Sequence, residues 1–297
     1  MKDIVYFAPA KVNFSLNIGK KESCGLHKIV SLMRKINVKD KITFNLTDGQ
    51  YNIKTVAGSN LKNKISEREL QSLSNEGNIT IKTAKLFFNT LNVRNKGIDI
   101  LIEKNIPFNA GLGGGSSDGA GLLLKLNEIY GNHLDKLELT KIALKIGSDV
   151  PFFLTEKDAV VSGFGEKIEE IESSALMKYY IVLVIPDFGI STKKAYDDYD
   201  DFLLTNKSNY YNIQYLGFKE LKLKNDFENV IFANYKVIKE IKESMILNGA
   251  EISLLSGSGS AVFGAFTSEH SAKEYISKIK SFNFNNIVHL IFLTETL

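Results

Sequence analysis

A chain of 297 residues has room for one large domain or two ordinary ones, either with a substantial core. Its 37 Lys and Arg against 34 Asp and Glu leave a formal charge of +3 spread along the sequence, too small and too mixed for a nucleic-acid binder. The single cysteine, Cys24, rules out an internal disulfide, the start Met1-Lys2-Asp3-Ile4 lacks a secretory apolar stretch, and the most apolar run, Tyr179 to Pro186, is far shorter than the ~20 residues of a membrane helix, so a cytoplasmic protein with no membrane role is expected.

In chain order, Ile4 to Gly19 is β-rich, and Lys35 to Asn45 alternates through Ile36, Val38, Ile42 and Phe44, so both predict strands. The polar stretch Ser59 to Asn78 reads as an exposed loop with room for a short helix. Ile79 to Thr90 carries Ile81, Ala84, Leu86 and Phe87-Phe88 at helical spacing. Gly97 to Lys104 is a strand by Ile98, Ile100 and Ile102, and it runs to Pro107 just before a glycine-rich loop. Beyond the loop, Leu122, Leu123, Leu126, Ile129 and Tyr130 predict a helix that stops at Gly131. A second helix, Leu139 to Ile146, stops at Gly147 and presents Asp149 in a turn before Pro151. A boundary just past Phe152-Phe153 gives lobes 1–157 and 158–297. The second lobe holds strands Ala159 to Ser162, Tyr180 to Ile185 and Ala261 to Phe266, with helical Asn229 to Leu247, and the whole reads as α+β.

The order strand, glycine loop, helix points to an anion. A helix start exposes unpaired N–H groups at the positive end of its dipole, and Gly111, Gly113, Gly114 and Gly115 let the backbone approach a phosphate closely. Ser116 and Ser117 add hydroxyls for phosphate oxygens or a metal bound to them, and Asp118 suits the helix start as a cap. A Walker A loop is excluded because Gly115 is followed by Ser116-Ser117 with no lysine, and a dinucleotide fingerprint because its last glycine would fall on Ser116. A plain flexible turn is the competing reading. Four scattered histidines and one cysteine build no structural metal site.

Three segments, Ala8-Pro9-Ala10-Lys11-Val12-Asn13, Ile106 through Asp118, and Leu254-Leu255-Ser256-Gly257-Ser258-Gly259-Ser260, resemble in order the signatures of the GHMP kinase superfamily. Gly25-Leu26-His27, Asn78-Ile79, Gly147 through Phe153 and Gly163-Phe164-Gly165-Glu166 make the resemblance specific to the branch that phosphorylates a cytidine-diphosphate-linked methylerythritol on the non-mevalonate route to isoprenoids. It implies a two-lobed fold, with an N-terminal ribosomal-protein-S5-like lobe, a C-terminal α/β sandwich lobe and the active site between them, in a monomer or homodimer. It also implies ATP with Mg²⁺ as cosubstrate and a small-molecule substrate with a cytidine diphosphate group.

The resemblance assigns the general base to Asp149, which on spacing alone would pass for an ordinary turn residue. Lys11, between Ala10 and Val12 on a strand, needs a partner if buried; pairing with Asp149 would keep that carboxylate ionised and stabilise the moving phosphoryl group. An outward-pointing strand lysine is the alternative. Pro107, Gly111, Leu112, Gly113, Gly114, Gly115, Ser116 and Ser117 would hold the phosphates, with Lys104 and Asn78 near the nucleotide base. Asn13, Ser258 and Gly259 would touch the acceptor, His27 would bond the cytosine and Tyr196 would stack on it. The branch usually carries tyrosine where this chain has Leu26, so one face of the cytosine would lack an aromatic partner. Homoserine, mevalonate or a sugar as acceptor, and a non-catalytic ligand sensor, are the competing readings.

Overall fold

The β-rich start resolves into β1 (Ile4–Asn13) and β2 (Asn17–Lys21), followed by the long β3 (His27–Thr47), which absorbs the alternating Lys35–Asn45 stretch. The computed structural model describes residues 3–205, 217–279 and 287–297. Next come β4 (Tyr51–Ala57), α1 (Glu67–Leu73), α2 (Ile79–Thr90), β5 (Gly97–Lys104), α3 (Gly114–Ile129) and α4 (Lys136–Ile146). The remaining strands are β6 (Ala159–Gly163), β7 (Lys167–Glu170), β8 (Tyr180–Pro186), β9 (Ile252–Leu255), β10 (Val262–Phe266) and β11 (Val288–Glu295). They are interleaved with α5 (Thr192–Thr205), α6 (Glu228–Asn234), α7 (Lys236–Leu247) and α8 (Glu269–Ile279).

The chain divides into two compact units, each discontinuous in sequence. The first comprises 1–10, 38–107 and 113–156, and the second comprises 11–37, 108–112 and 157–297. A two-segment split at 157 does not foresee the excursions of 11–37 and 108–112. Backbone bonds explain them: Lys11 N–H donates to the Leu112 carbonyl at 2.9 Å, and Ala261 N–H to that of Ala110 at 3.2 Å.

In the first unit the C-terminal part of β3 pairs antiparallel with β5, from Lys41 opposite Glu103 to Thr47 opposite Gly97, and β4 pairs parallel with β5. Ile98, Ile100 and Ile102 all point inward, as their alternation predicts. Ile81, Ala84, Phe87 and Phe88 of α2 pack with Leu122, Leu123 and Leu126 of α3 to complete the core. α4 begins three residues before the expected Leu139, because Asp135 and Glu138 form a reciprocal capping box that extends it to Lys136.

The second unit contains an antiparallel sheet in the order β11-β8-β10-β9. β8 has a strand on either side and is buried from Ile181 to Ile185, which accounts for its unbroken apolar run. In the same unit Ile29 to Met33 of β3 pair with β6, which turns back as β7. The expected helix Asn229 to Leu247 is two helices, broken at Tyr235, whose φ −133° and ψ 76° leave the helical region. No helix among the described residues is long and apolar enough to cross a membrane.

Candidate active site

β5 delivers the chain to the glycine loop. Asn109, Gly111 and Gly113 all have positive φ (54°, 76° and 70°), so the loop turns repeatedly through the left-handed region before α3 starts. At Gly111 a Cβ would stand 2.0 Å from the Ser256 carbonyl oxygen, so no other residue fits. Gly113 occupies the cap position of α3 without any side-chain cap bond, and Ser117, buried one turn in, keeps its hydroxyl without a hydrogen-bond partner. An uncapped helix start beside an orphaned hydroxyl suits phosphate oxygens and a cation travelling with them. Gly115 is exposed, Ser116 half-buried, and Pro107 and Leu112 are buried beside the loop.

Asp118 is not the cap that its position suggested. It lies inside α3, 2 % exposed, with Oδ2 3.0 Å from Lys104 Nζ. Lys104 Nζ also donates to Asp40 Oδ2, and the other oxygen of Asp40 accepts the N–H groups of Asn105 (2.6 Å) and Ile106 (2.8 Å). Burial disfavours the Lys104 ammonium, but the two carboxylates outweigh it and hold its pKa above the usual value. Burial pushes the Asp118 carboxyl up to about 8, Lys104 opposing and Asp40 adding to the rise. The Lys104 amine is thus committed within the unit, and Asn78 caps α2, accepting from Thr80 N–H at 2.9 Å and donating to the Leu73 carbonyl at 2.7 Å. Asp149 stands half-buried in the turn between α4 and the 3-10 turn Pro151–Leu154.

In the second unit Lys11, 3 % exposed, donates to Asn13 Oδ1 at 2.6 Å, and Asn13 Nδ2 donates to Ser31 Oγ at 2.8 Å. Lys11 is therefore a buried strand lysine, not an outward-pointing one. A Cβ on Gly257 would lie 3.4 Å from Lys11 Nζ, which places the Ser256–Ser260 turn beside the ammonium. That turn is fixed from several sides: Ser256 Oγ donates to the Gly111 carbonyl (3.0 Å), Asn225 Nδ2 to those of Leu255 (2.8 Å) and Gly257 (2.7 Å), and Ser258 Oγ lies 2.9 Å from Thr192 Oγ1. The structure thus gathers Lys11, Asn13, Gly111, Leu112, Ser258 and Gly259.

A separate cluster forms around His27. Its ring stacks on Tyr196 with centroids 4.7 Å apart, and the rings of Tyr196 and Phe227 stand nearly perpendicular with centroids 4.9 Å apart. His27 Nε2 is 2.8 Å from Asp200 Oδ1, and Lys21 bonds the other Asp200 oxygen at 3.0 Å. Partial burial works against the Asp200 charge, yet the bonds from His27 and Lys21 hold its carboxyl below the ordinary range. Leu26, in the turn before β3, is 57 % exposed. Asp40, Thr192, Asn225 and Asp200 were not singled out from sequence. For Asp40 a signal existed, because it shares the inward strand face of Val38 and Ile42, where a carboxylate requires partners.

Comparison with known proteins places this geometry. The model of the GHMP kinases N terminal domain matches residues 78–157, and that of GHMP kinases C terminal matches 214–285. A protein of Clostridium acetobutylicum named 4-diphosphocytidyl-2-C-methyl-D-erythritol kinase is 35 % identical over 296 residues, covering 98 % of this chain and 99 % of the relative. The chain belongs to the 4-diphosphocytidyl-2-C-methyl-D-erythritol kinase family of GHMP kinases. A relative of the same name from Fusobacterium nucleatum is also 35 % identical, with 93 % and 92 % of the two chains covered. Among solved structures, a 4-(cytidine 5'-diphospho)-2C-methyl-D-erythritol kinase superposes with a TM-score of 0.70 at 24 % identity over 99 % of both chains. A homoserine kinase from Cytophaga hutchinsonii gives 0.66 at 18 % identity over 100 % of this chain and 95 % of the other, so the same α+β fold serves different acceptors. The chain is an ATP-dependent small-molecule kinase.

Proposed function

We propose that the chain transfers the γ-phosphoryl group of ATP to the 2-hydroxyl of 4-diphosphocytidyl-2-C-methyl-D-erythritol, with Asp149 as general base. The observation that carries this reading is the end-to-end match, at 35 % identity, to kinases named for that substrate. The geometry at the start of α3 and around Lys11 supports it. The uncapped start of α3, from Gly113 to Ser117, receives the phosphates, and Ser117 Oγ is a fitting partner for Mg²⁺ or a phosphate oxygen. Mg²⁺, when bound with ATP, neutralises charge on the phosphates. Asp149 accepts the hydroxyl proton, and Lys11, oriented by Asn13, stabilises the charge that develops.

On the acceptor side, Asp200 engages Nε2 of His27, so Nδ1 is the ring nitrogen that would meet a polar group of the cytosine. Asn13, Ser258 and Gly259 serve the polyol and phosphate end, Leu26 and Tyr196 the base, and Asn78 the nucleotide side, whereas Lys104 is buried and held by Asp40 and Asp118. Retention of both Lys11 and Asp149 speaks against a ligand sensor. The enzyme works in the cytoplasm. Phosphorus NMR of the product tests the reaction: a new phosphomonoester on the tertiary carbon is expected, and phosphate on a primary or secondary hydroxyl would overturn the assignment.

Tyr196 leads to a kinetic expectation. A base–aromatic stack contributes about 1–3 kcal/mol, and with Leu26 exposed most of it must come from Tyr196. Tyr196→Ala should raise KM for the cytidyl substrate roughly tenfold or more while leaving KM for ATP little changed. Initial rates with each substrate varied in turn check this; an unaltered cytidyl KM would remove Tyr196 from the base site.

A further inference from the structure

Outside the groups assigned to the reaction, the first unit buries the charge cluster Asp40, Lys104 and Asp118 beside Gly114 at the start of α3. The cluster grips both ends of that loop. On the entry side Asp40 Oδ1 accepts the N–H groups of Asn105 and Ile106, the last residues before Pro107. On the exit side Asp118 belongs to α3, and Tyr6 OH fixes its carbonyl at 2.7 Å. Lys104 joins the two, bonding Asp40 Oδ2 and Asp118 Oδ2, and its ammonium reaches the first residue of α3, since a Cβ on Gly114 would lie 3.0 Å from Nζ. We infer that Asp40, Lys104 and Asp118 form a positioning clamp that sets the separation of the two ends of the phosphate loop and the charge beside it. This rests on the reading of the loop as the ATP site.

The cluster has one cation for two carboxylates, and Asp118 Oδ1 is buried without a partner. With a proton on Asp118 the clamp is neutral; with that proton lost it carries one negative charge beside the helix start that receives the phosphates. Lys104 from β5, Asp40 from β3 and Tyr6 from β1 are the titratable side chains that face Asp118, and Thr83 of α2 packs nearby against Gly119. Since burial sets the Asp118 carboxyl near 8, nucleotide affinity should fall as pH rises through that value.

Calorimetry with Mg²⁺ and a non-hydrolysable ATP analogue between pH 7 and 9, above the range in which a terminal phosphate titrates, reads this directly. The wild type should lose about tenfold in affinity over that interval, the size of an added charge at moderate distance in a partly screened site. Asp118→Asn, permanently neutral, should show no such loss. Asp40→Asn should also flatten the profile, because Lys104 then has only Asp118 to neutralise, and it serves if the first variant does not fold. A wild type without the fall, or either folded variant with the wild-type fall, overturns the clamp. If the wild type and Gly114→Val bind the analogue equally, it is the loop assignment that fails.

Discussion

Asparagine in place of Asp149 is expected to lower kcat by at least ~10²-fold while nucleotide affinity stays near that of the wild type. The substitution keeps the size and hydrogen-bonding shape of the side chain but cannot accept a proton from the attacking hydroxyl. Gly147 ends α4 and Pro151 opens the 3-10 turn, so Asp149 stands in a short turn with a fixed backbone on either side. The loss should therefore be one of chemistry and not of fold, and circular dichroism with analogue binding would verify that. Near-normal turnover in a folded variant would remove Asp149 from the mechanism.

Gly111→Ala should have an effect of comparable size by a different route. The residue has φ +76°, where a Cβ costs about 1–2 kcal/mol, and that Cβ would lie 2.0 Å from the Ser256 carbonyl oxygen. Backbone atoms cannot yield as a flexible side chain does, so the loop must leave the Ser256 turn and break the bond from Ser256 Oγ to the Gly111 carbonyl. A loss of more than ~2 kcal/mol in stability is expected, with at least tenfold weaker ATP binding. Gly115→Ala is the control for stability, because its Cβ would meet only Ile79 Cγ2 at 3.8 Å and its φ is not positive. Chemical denaturation and calorimetry on both variants measure the contrast; equal stability of the two would show that the loop is not held as described.

Where periodicity is local and unambiguous, sequence and structure agree to the residue: α2 runs from Ile79 to Thr90 and β5 from Gly97 to Lys104, as the spacing of Ile81, Ala84 and Phe88 and the alternation of Ile98, Ile100 and Ile102 require. Local pattern fails where tertiary contacts decide. α5 is polar along most of Lys193-Lys194-Ala195-Tyr196-Asp197-Asp198-Tyr199-Asp200, and only Ala195, Tyr199 and Leu203 reach the interior, too few to announce a helix. Asp200 meets His27 across 173 positions of sequence, which no local pattern can indicate. Asp118 sits among the small residues that open a helix and so resembles a cap, whereas the partner that draws it inward, Lys104, arrives from the preceding strand. Lys11, ambiguous as a strand lysine, is resolved by the buried chain of bonds through Asn13 to Ser31.

The central claim, that this kinase acts on the cytidyl-methylerythritol acceptor, is tested most directly by its specificity among the acceptors of the GHMP fold. ADP release at fixed MgATP, measured with 4-diphosphocytidyl-2-C-methyl-D-erythritol, homoserine and mevalonate, gives the comparison. A kcat/KM for the cytidyl acceptor at least ~10³-fold above the others is expected, because a site that hydrogen-bonds a substrate group rejects an analogue lacking it by even larger factors. Equal or greater kcat/KM for homoserine or mevalonate would contradict the account.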